Sequence, residues 1–452
     1  MNNQGNMIVN YEEYLAYDQA FQRKYGHLFH AYPYAMIIFD TILRHNENEN
    51  KTFYQNAIKR LKSQYKYNLK TFARRPFYLI SAMINRQPAW EKSLFVDLSK
   101  RFAYLSSRLE EVCRESGVGI VRYCPLRSYD FKLAQNRDRL FADQQIFSPG
   151  IKNTIKKITF ENLPELISNK KLLHDLNGEI ERNVEKLAAI MNRKKIRLCF
   201  TSGDQVYIKQ FFCAAAQKAG IPYYVLLHGY TQGAKYIGVL PIHANKLLVW
   251  NNDIKNRLST ALTKSSRVEE KDKIEIFGYP IYDGVYVKKY KEKYREDPRR
   301  ITFISQPFEE MGVAIDRETI YSRLQQLKMK GFDVVIRLHP KEKTKHDKIA
   351  LIKHYDLDIS DGELLKDLIE SRAILGFNSS VIYEAKLLQK HVFQIKGLNI
   401  NYLHEDVSKI CIDEIPELGS LILQQPAYSG DDRLIADFKE KLKMMLDEVN
   451  VL

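Results

Sequence analysis

The sequence predicts an α/β protein with two doubly wound, parallel-sheet halves, a helical N-terminal extension and a closing C-terminal helix. Three observations carry that reading. Short runs rich in aliphatic and aromatic residues alternate with amphipathic segments from about residue 180 onward, as strand–helix–strand units do. The alternation stops at the charged, aliphatic-poor stretch 286–300 and then restarts. Small and polar residues gather where the predicted strands end, which is where open parallel sheets bind ligands. A chain of 452 residues is long enough for two or three domains.

The first 115 residues or so read as helical. Residues 12–44 carry apolar positions at helical spacings, with Pro33 as the one breaker, and residues 93–116 follow with Leu94, Leu98, Phe102, Leu105, Leu109 and Val112 at spacings of three and four. A strand is expected at 119–125, opening a Rossmann-like region over about 116–285. Within it KIRLCFTSG, IPYYVLLHG, ANKLLVWN and KIEIFGYP read as strands, and QVYIKQFFCAAAQKAG reads as a helix stopped by Gly220. Residues 286–300 are expected to be a linker. The second half, 301–430, alternates ITFISQP, FDVVIRLHP, LDIS, AILGFNSS and HVFQIKG with helices. A last helix over 431–452 is expected to pack back on the first half.

Composition narrows the function. With 45% hydrophobic residues the chain is not disordered, and its five cysteines form no Cys-x-x-Cys pair, which suggests a reducing compartment and no structural zinc. No apolar run reaches the length of a membrane span and no signal peptide is visible, so a cytoplasmic protein is expected. The net charge is +15, and residues 51–100 hold eleven Lys/Arg against two Asp/Glu. That segment suggests a solvated helical face, or contact with an anionic inner membrane surface or an acidic glycan. No helix-turn-helix, zinc or RNP pattern supports a nucleic-acid-binding protein, and no nucleic-acid partner is expected.

The residues at strand ends are the candidate site. In the second half they are Ser305 and Gln306, then Arg337, His339 and Pro340, then Asn378, Ser379 and Ser380. A strand tip delivers His339, which can hydrogen-bond or protonate a phosphate oxygen. Ser379 and Ser380 open a helix whose N–H groups and dipole favour an anion. Glu384, one turn in, reads as a holder of a ribose hydroxyl or as an exposed helix residue. In the first half the tips hold Ser202, Gly203 and Asp204, then His228, Gly229 and Tyr230, then Gly278 and Tyr279. Asp356 and Asp358 have the spacing of a metal-holding pair, but Ser360 and Glu363 read as a capping box for the next helix, so no metal site is expected.

Two Rossmann-like halves closed by a C-terminal helix resemble the GT-B glycosyltransferase outline, with two domains facing a cleft. The ordered set R-x-H-P, then G-F-x-S-S with a helical Glu, resembles the HP and SS motifs of bacterial sialyltransferases and polysialyltransferases. Teichoic-acid CDP-glycerol polymerases and capsule Kdo transferases share that spacing. LLHGYTQG and IFGYPIYD are similar to segments of surface-polysaccharide transferases. The resemblance covers roughly residues 195–400. It implies an inverting, metal-independent glycosyltransferase of capsule or lipopolysaccharide synthesis, with no cofactor and a CMP-sugar donor such as sialic acid or Kdo. The acceptor would be a glycan or glycolipid. His339, Ser379 and Ser380 would bind the donor phosphate and nucleotide. Sialyltransferases use an acidic D/E-D/E-G motif as base; this chain has Ser202-Gly203-Asp204, so Asp204 and His228 both stand as candidates. The alternatives are a CDP-glycerol-type glycerophosphotransferase, then a sugar-nucleotide 2-epimerase, then a non-enzymatic nucleic-acid-binding protein.

Overall fold

The computed structural model describes residues 11–46, 91–98, 102–123, 139–140, 148–159, 161–203, 207–227, 240–264, 267–278, 284–309, 314–377, 379–396, 407–424 and 438–449. The chain divides into two compact units. The first comprises residues 1–281 with 438–452, and the second residues 282–437. Most of the basic segment 51–100 lies outside the described residues.

The first unit is built on a parallel sheet of seven strands, in the order β3-β2-β1-β4-β5-β6-β7. These are β1 (Ser93–Asp97), β2 (Gly119–Tyr123), β3 (Arg139–Leu140), β4 (Ile196–Thr201), β5 (Tyr223–Leu226), β6 (Lys246–Val249) and β7 (Ile274–Ile276). The first strand corrects the expected boundary at 116, because residues 93–97 were read as the start of a helix. Leu94, Phe95 and Val96 are all buried, and a run apolar on both faces is what a central parallel strand needs. The helix proper, α3, begins only at Ala103 and ends at Glu115.

Two helices precede this sheet, α1 (Tyr11–Ala31) and α2 (Pro33–Asn46). The break falls where Pro33, without an N–H, suits the first position of a helix. The next two amides, of Tyr34 and Ala35, donate to Asn177 Oδ1 at 2.9 and 3.2 Å. Asn177 belongs to the long helix Lys170–Arg193, so a side chain from one helix satisfies the open N-terminus of another. The apolar stripe of α2 (Ala35, Met36, Ile38, Phe39, Leu43) is buried.

The C-terminal helix Phe438–Glu448 belongs to the first unit. Lys439 pairs with Glu111 and Glu115 at 3.3 and 2.7 Å, Lys441 Nζ donates to the Phe277 carbonyl at 2.5 Å, and Glu448 meets Lys246 at 2.5 Å.

The second unit repeats the plan with six parallel strands in the order β10-β9-β8-β11-β12-β13. They are β8 (Asp297–Ile304), β9 (Asp333–Arg337), β10 (Asp358–Ile359), β11 (Ser371–Gly376), β12 (His391–Ile395) and β13 (Ser408–Ile410). The expected linker 286–300 is corrected. Residues 284–293 form a helix, and 297–300 begin β8. Its packing face uses Val287, Tyr290 and Tyr294 at helical spacing, so aromatic rings replace the aliphatics whose absence suggested a linker. The Tyr290 and Tyr294 rings lie 5.6 Å apart.

In both sheets the strand order reverses beside the unit's first strand, between β1 and β4 and between β8 and β11. Helices then leave in opposite directions and open a crevice at the strand ends.

Candidate functional site

At the switch point of the second unit three strand tips lie side by side. Ile304 on β8 is in register with Arg337 on β9 and with Gly376 on β11. The tips continue as Ser305–Gln306, Leu338–His339 and Phe377 toward Ser379. They span two strand spacings, about 10 Å.

His339 and Pro340 form the turn after β9. The Lys341 amide donates to His339 Nδ1 at 3.2 Å. An acceptor at Nδ1 carries no proton, so the neutral ring holds its proton on Nε2. The His339 amide donates to Glu342 Oε2 at 3.1 Å. Ser379 caps the helix Ser380–Leu387, its hydroxyl accepting from the Val381 amide at 3.2 Å. Ser379 and Ser380 are half-buried at a helix start on the same edge as His339.

Beneath these tips lies a buried ionic cluster. Glu342 has no exposure, and its Oε1 accepts from Arg317 Nη2 at 2.8 Å and Lys348 Nζ at 3.1 Å. Arg317 also donates to Ser305 Oγ at 3.0 Å, to the Gln306 carbonyl at 2.7 Å and to both oxygens of Glu309, at 2.5 and 2.9 Å. Burial alone would raise the Glu309 carboxyl, but the hydrogen bonds from Arg317 and Lys348 outweigh it and bring it down from 4.5 to about 2. Sequence reasoning missed Arg317, Glu342 and Lys348, because charged residues in a turn and at helix starts read as solvated.

Three expected donor residues are buried or engaged within the second unit. Arg337 Nη1 is engaged by the Asp367 carboxylate, the Gly362 carbonyl (2.9 Å) and Ser360 Oγ (3.5 Å), and Asp367 is only 1% exposed. A guanidinium held by a buried carboxylate supports the strand rather than facing a ligand. Glu384 is 1% exposed, on the buried side of its helix. Ser305, 2% exposed, likewise serves the turn. The expected capping box is also different. Glu363 is the N-cap of the helix Leu364–Glu370, while Ser360 Oγ accepts from the Gly362 amide at 3.3 Å and donates to Asp367. Asp356 and Asp358 both pair with Lys328, at 3.4 and 3.2 Å.

In the first unit Asp204, His228, Gly229, Tyr230 and Tyr279 lie outside the described residues, as does Asn378 in the second. The β4 tip is described. The Ser202 amide donates to the Asp97 carbonyl at 3.2 Å, and Thr201 Oγ1 donates to the Gly203 carbonyl at 3.1 Å. Beside them Lys209 Nζ donates to the Asp97 carbonyl at 3.0 Å and pairs with the Asp97 carboxylate. Burial depresses the Lys209 ammonium despite that partner. Asp97 was hidden by the helical reading of residues 93–116. Gly278, in the left-handed region at φ +98°, follows the edge strand β7. Three strand spacings, roughly 14 Å, separate that strand from β4, so Gly278 does not join Ser202 and Gly203.

No family model and no curated protein sequence matches this chain. Solved structures do. The UDP-GlcNAc 2-epimerase of Methanocaldococcus jannaschii aligns over 79% of this chain and 99% of its own, at 12% identity and a TM-score of 0.50. The UDP-GlcNAc 2-epimerase of Neisseria meningitidis covers the same shares at 12% identity and a TM-score of 0.45. MurG of Acinetobacter baumannii aligns over 79% of this chain and 94% of its own, at 10% identity and a TM-score of 0.39. The first likeness supports the fold, a GT-B-like pair of Rossmann-like domains. Among the described residues no helix is long and apolar enough to cross a membrane.

Proposed function

We propose that the chain is a sugar-nucleotide enzyme whose second unit binds the nucleotide phosphate at the β8/β11 switch point, and that it acts as a glycosyltransferase of bacterial surface-polysaccharide synthesis. The observation that supports this is that His339 and the Ser379–Ser380 helix start follow β9 and β11, the two strands that flank β8, on the same edge of the sheet. A phosphate there would accept from His339 Nε2–H, and the dipole of the helix N-terminus would add attraction. The HP and SS motifs favour a CMP-activated sugar.

In the reaction, Asp204 or His228 takes the proton from an acceptor hydroxyl. The oxygen attacks the anomeric carbon, the bond from that carbon to the nucleotide phosphate oxygen breaks, and the configuration inverts. The departing phosphate keeps the electron pair, and His339 and the helix N-terminus stabilise its charge. Since neutral His339 carries its proton on Nε2, it serves as a hydrogen-bond donor to that charge. Activity is expected to persist in EDTA. Peripheral contact with an anionic membrane through residues 51–100 would bring the enzyme to a lipid-linked acceptor.

A second reading is a sugar-nucleotide 2-epimerase, the activity in the name of the Methanocaldococcus jannaschii structure. It needs the same phosphate site but no acceptor. A thermal-stabilisation screen with CMP, CDP, UDP and GDP identifies the nucleotide, because a ligand at 100 times its Kd adds about 2.7 kcal/mol. Product analysis with the matching nucleotide sugar alone then separates the readings. A sugar epimerised without acceptor establishes the second, whereas acceptor-dependent release of the nucleotide establishes the first.

A further inference from the structure

Glu342 joins two of the three tips. Its Oε2 holds the His339 amide, and its Oε1 holds Arg317, which holds Ser305 Oγ and the Gln306 carbonyl on the neighbouring tip. Every donor nitrogen of Arg317 is engaged: Nε by Glu309, Nη1 by Ser305 and Tyr321 (3.2 Å), and Nη2 by Gln306, Glu309 and Glu342. Such a fork has no rotational freedom left, and a lysine cannot reproduce it. Lys348, reaching Glu342 at 3.1 Å and Glu309 at 2.8 Å, balances the second negative charge. Two carboxylates and two cations therefore fasten the 305–309 segment to the 339–342 turn. Burying Glu342, Arg317 and Lys348 is costly, and their mutual pairing offsets that cost.

The same turn sets the chemistry of the ring. The Lys341 amide reaches Nδ1 only while residues 339–342 keep their fold, and the Glu342 amide closes that turn onto the His339 carbonyl at 2.8 Å.

We infer that Glu342 and Arg317 are positioning residues for an anion subsite. They hold the 339–342 turn so that the Lys341 amide keeps His339 in its neutral Nε2–H form, as a donor to a phosphoryl oxygen. The identity of that anion as a nucleotide phosphate rests on the function proposed above; the tautomer and its control by Glu342 do not.

The test uses the full chain. First, nitrogen NMR of histidine-labelled protein at pH 7.5, with the His339 signal assigned from His339→Ala, is expected to show Nδ1 unprotonated and Nε2 protonated. A protonated Nδ1, in the other tautomer or in the imidazolium, overturns the inference. Second, the affinities of CMP and cytidine, and of UDP and uridine, are compared in wild type, Glu342→Gln and Arg317→Lys. The nucleoside reports the rest of the site, so the nucleotide-to-nucleoside ratio isolates the phosphate contact. In Glu342→Gln that ratio is expected to fall about tenfold or more, the size of one lost charge-assisted hydrogen bond, with nucleoside affinity unchanged and mixed tautomers at His339. Arg317→Lys moves the ratio the same way by less. A wild-type ratio in a folded variant overturns the positioning role. If Glu342→Gln does not fold, the wild-type tautomer and Arg317→Lys decide the matter. A wild-type chain with the expected tautomer that binds none of the four probes overturns the nucleotide assignment, not the tautomer.

Discussion

The two units share a strand order but present different chemistry at the place where that order reverses. The first unit ends β1 in a carboxylate. Asp97 sits there with Lys209 across from it, and the hydroxyls of Thr201 and Tyr223 bond to each other (3.1 Å) and to the Gly203 carbonyl. The second unit keeps its carboxylates below the tips. Glu342 and Glu309 are neutralised by Arg317 and Lys348, and the tip offers an imidazole N–H and a helix N-terminus. On the proposed function, a phosphate at the first switch point would meet a negative group held by its own cation, and at the second an imidazole beside a helix N-terminus. Topology therefore says where a ligand can bind in each unit, and the charge at the tip says which ligand.

Four substitutions probe that contrast, from the largest expected effect downward. Arg337→Met strands the buried Asp367 carboxylate, with Arg300 at 3.7 Å as its remaining cation, and is expected to cost about 3–5 kcal/mol of stability. The nucleotide-to-nucleoside affinity ratio should not change, because Arg337 supports the sheet; a collapse of that ratio in folded protein would return Arg337 to the ligand. In the other unit, Lys209→Met leaves Asp97 half-buried without its cation and should cost about 1–3 kcal/mol by thermal unfolding. CMP or UDP affinity should stay at the wild-type value. Loss of nucleotide affinity there would mean that the first unit's switch point takes part in nucleotide binding.

Glu309 gives a pH signature specific to the second unit. Its folded carboxyl lies near 2 instead of the usual 4.5. Between those values the unfolded chain binds the proton that the folded chain refuses, so the stabilisation is complete above about pH 4.5 and is lost as pH falls toward 2. Acid titration of Glu309→Gln should lack this component and lose less stability over that window than wild type; equal losses in the two proteins would contradict it. The smallest effect is expected from Lys439→Ala. It removes exposed ion pairs to Glu111 and Glu115, and surface pairs contribute little. The unfolding temperature should barely move, whereas a large drop would show the C-terminal helix to be held mainly by charge.

How much of this was legible in the sequence differs by kind of feature. Strand–helix alternation survives in residue order because each strand must be apolar on both faces and each helix on one. The chain from Ile196 to Ile276 and from Ile301 to Ile395 was therefore readable. The strand Ser93–Asp97 was not. Leu94 and Leu98 also fit helical spacing, and only its burial between β2 and β4 decides the matter. The Arg317–Glu342–Lys348 cluster was not readable either. Arg317 meets Glu342 25 residues away, and Lys348 meets Glu309 39 residues away. In sequence these are ordinary surface charges; folding makes them one buried group. Arg337 shows the converse error. Its position two residues before His339 suggested a shared ligand, yet Asp367, 30 residues on, claims it.

The central claim is that the second unit's switch point binds a nucleotide phosphate through His339. Calorimetric titration of CMP and UDP into the wild-type chain and into His339→Ala tests it most directly. The account predicts that one of the two nucleotides binds wild type, and that His339→Ala weakens that binding by about tenfold or more with the unfolding temperature preserved. Equal affinity in the two proteins, or no binding of either nucleotide to wild type, would contradict it.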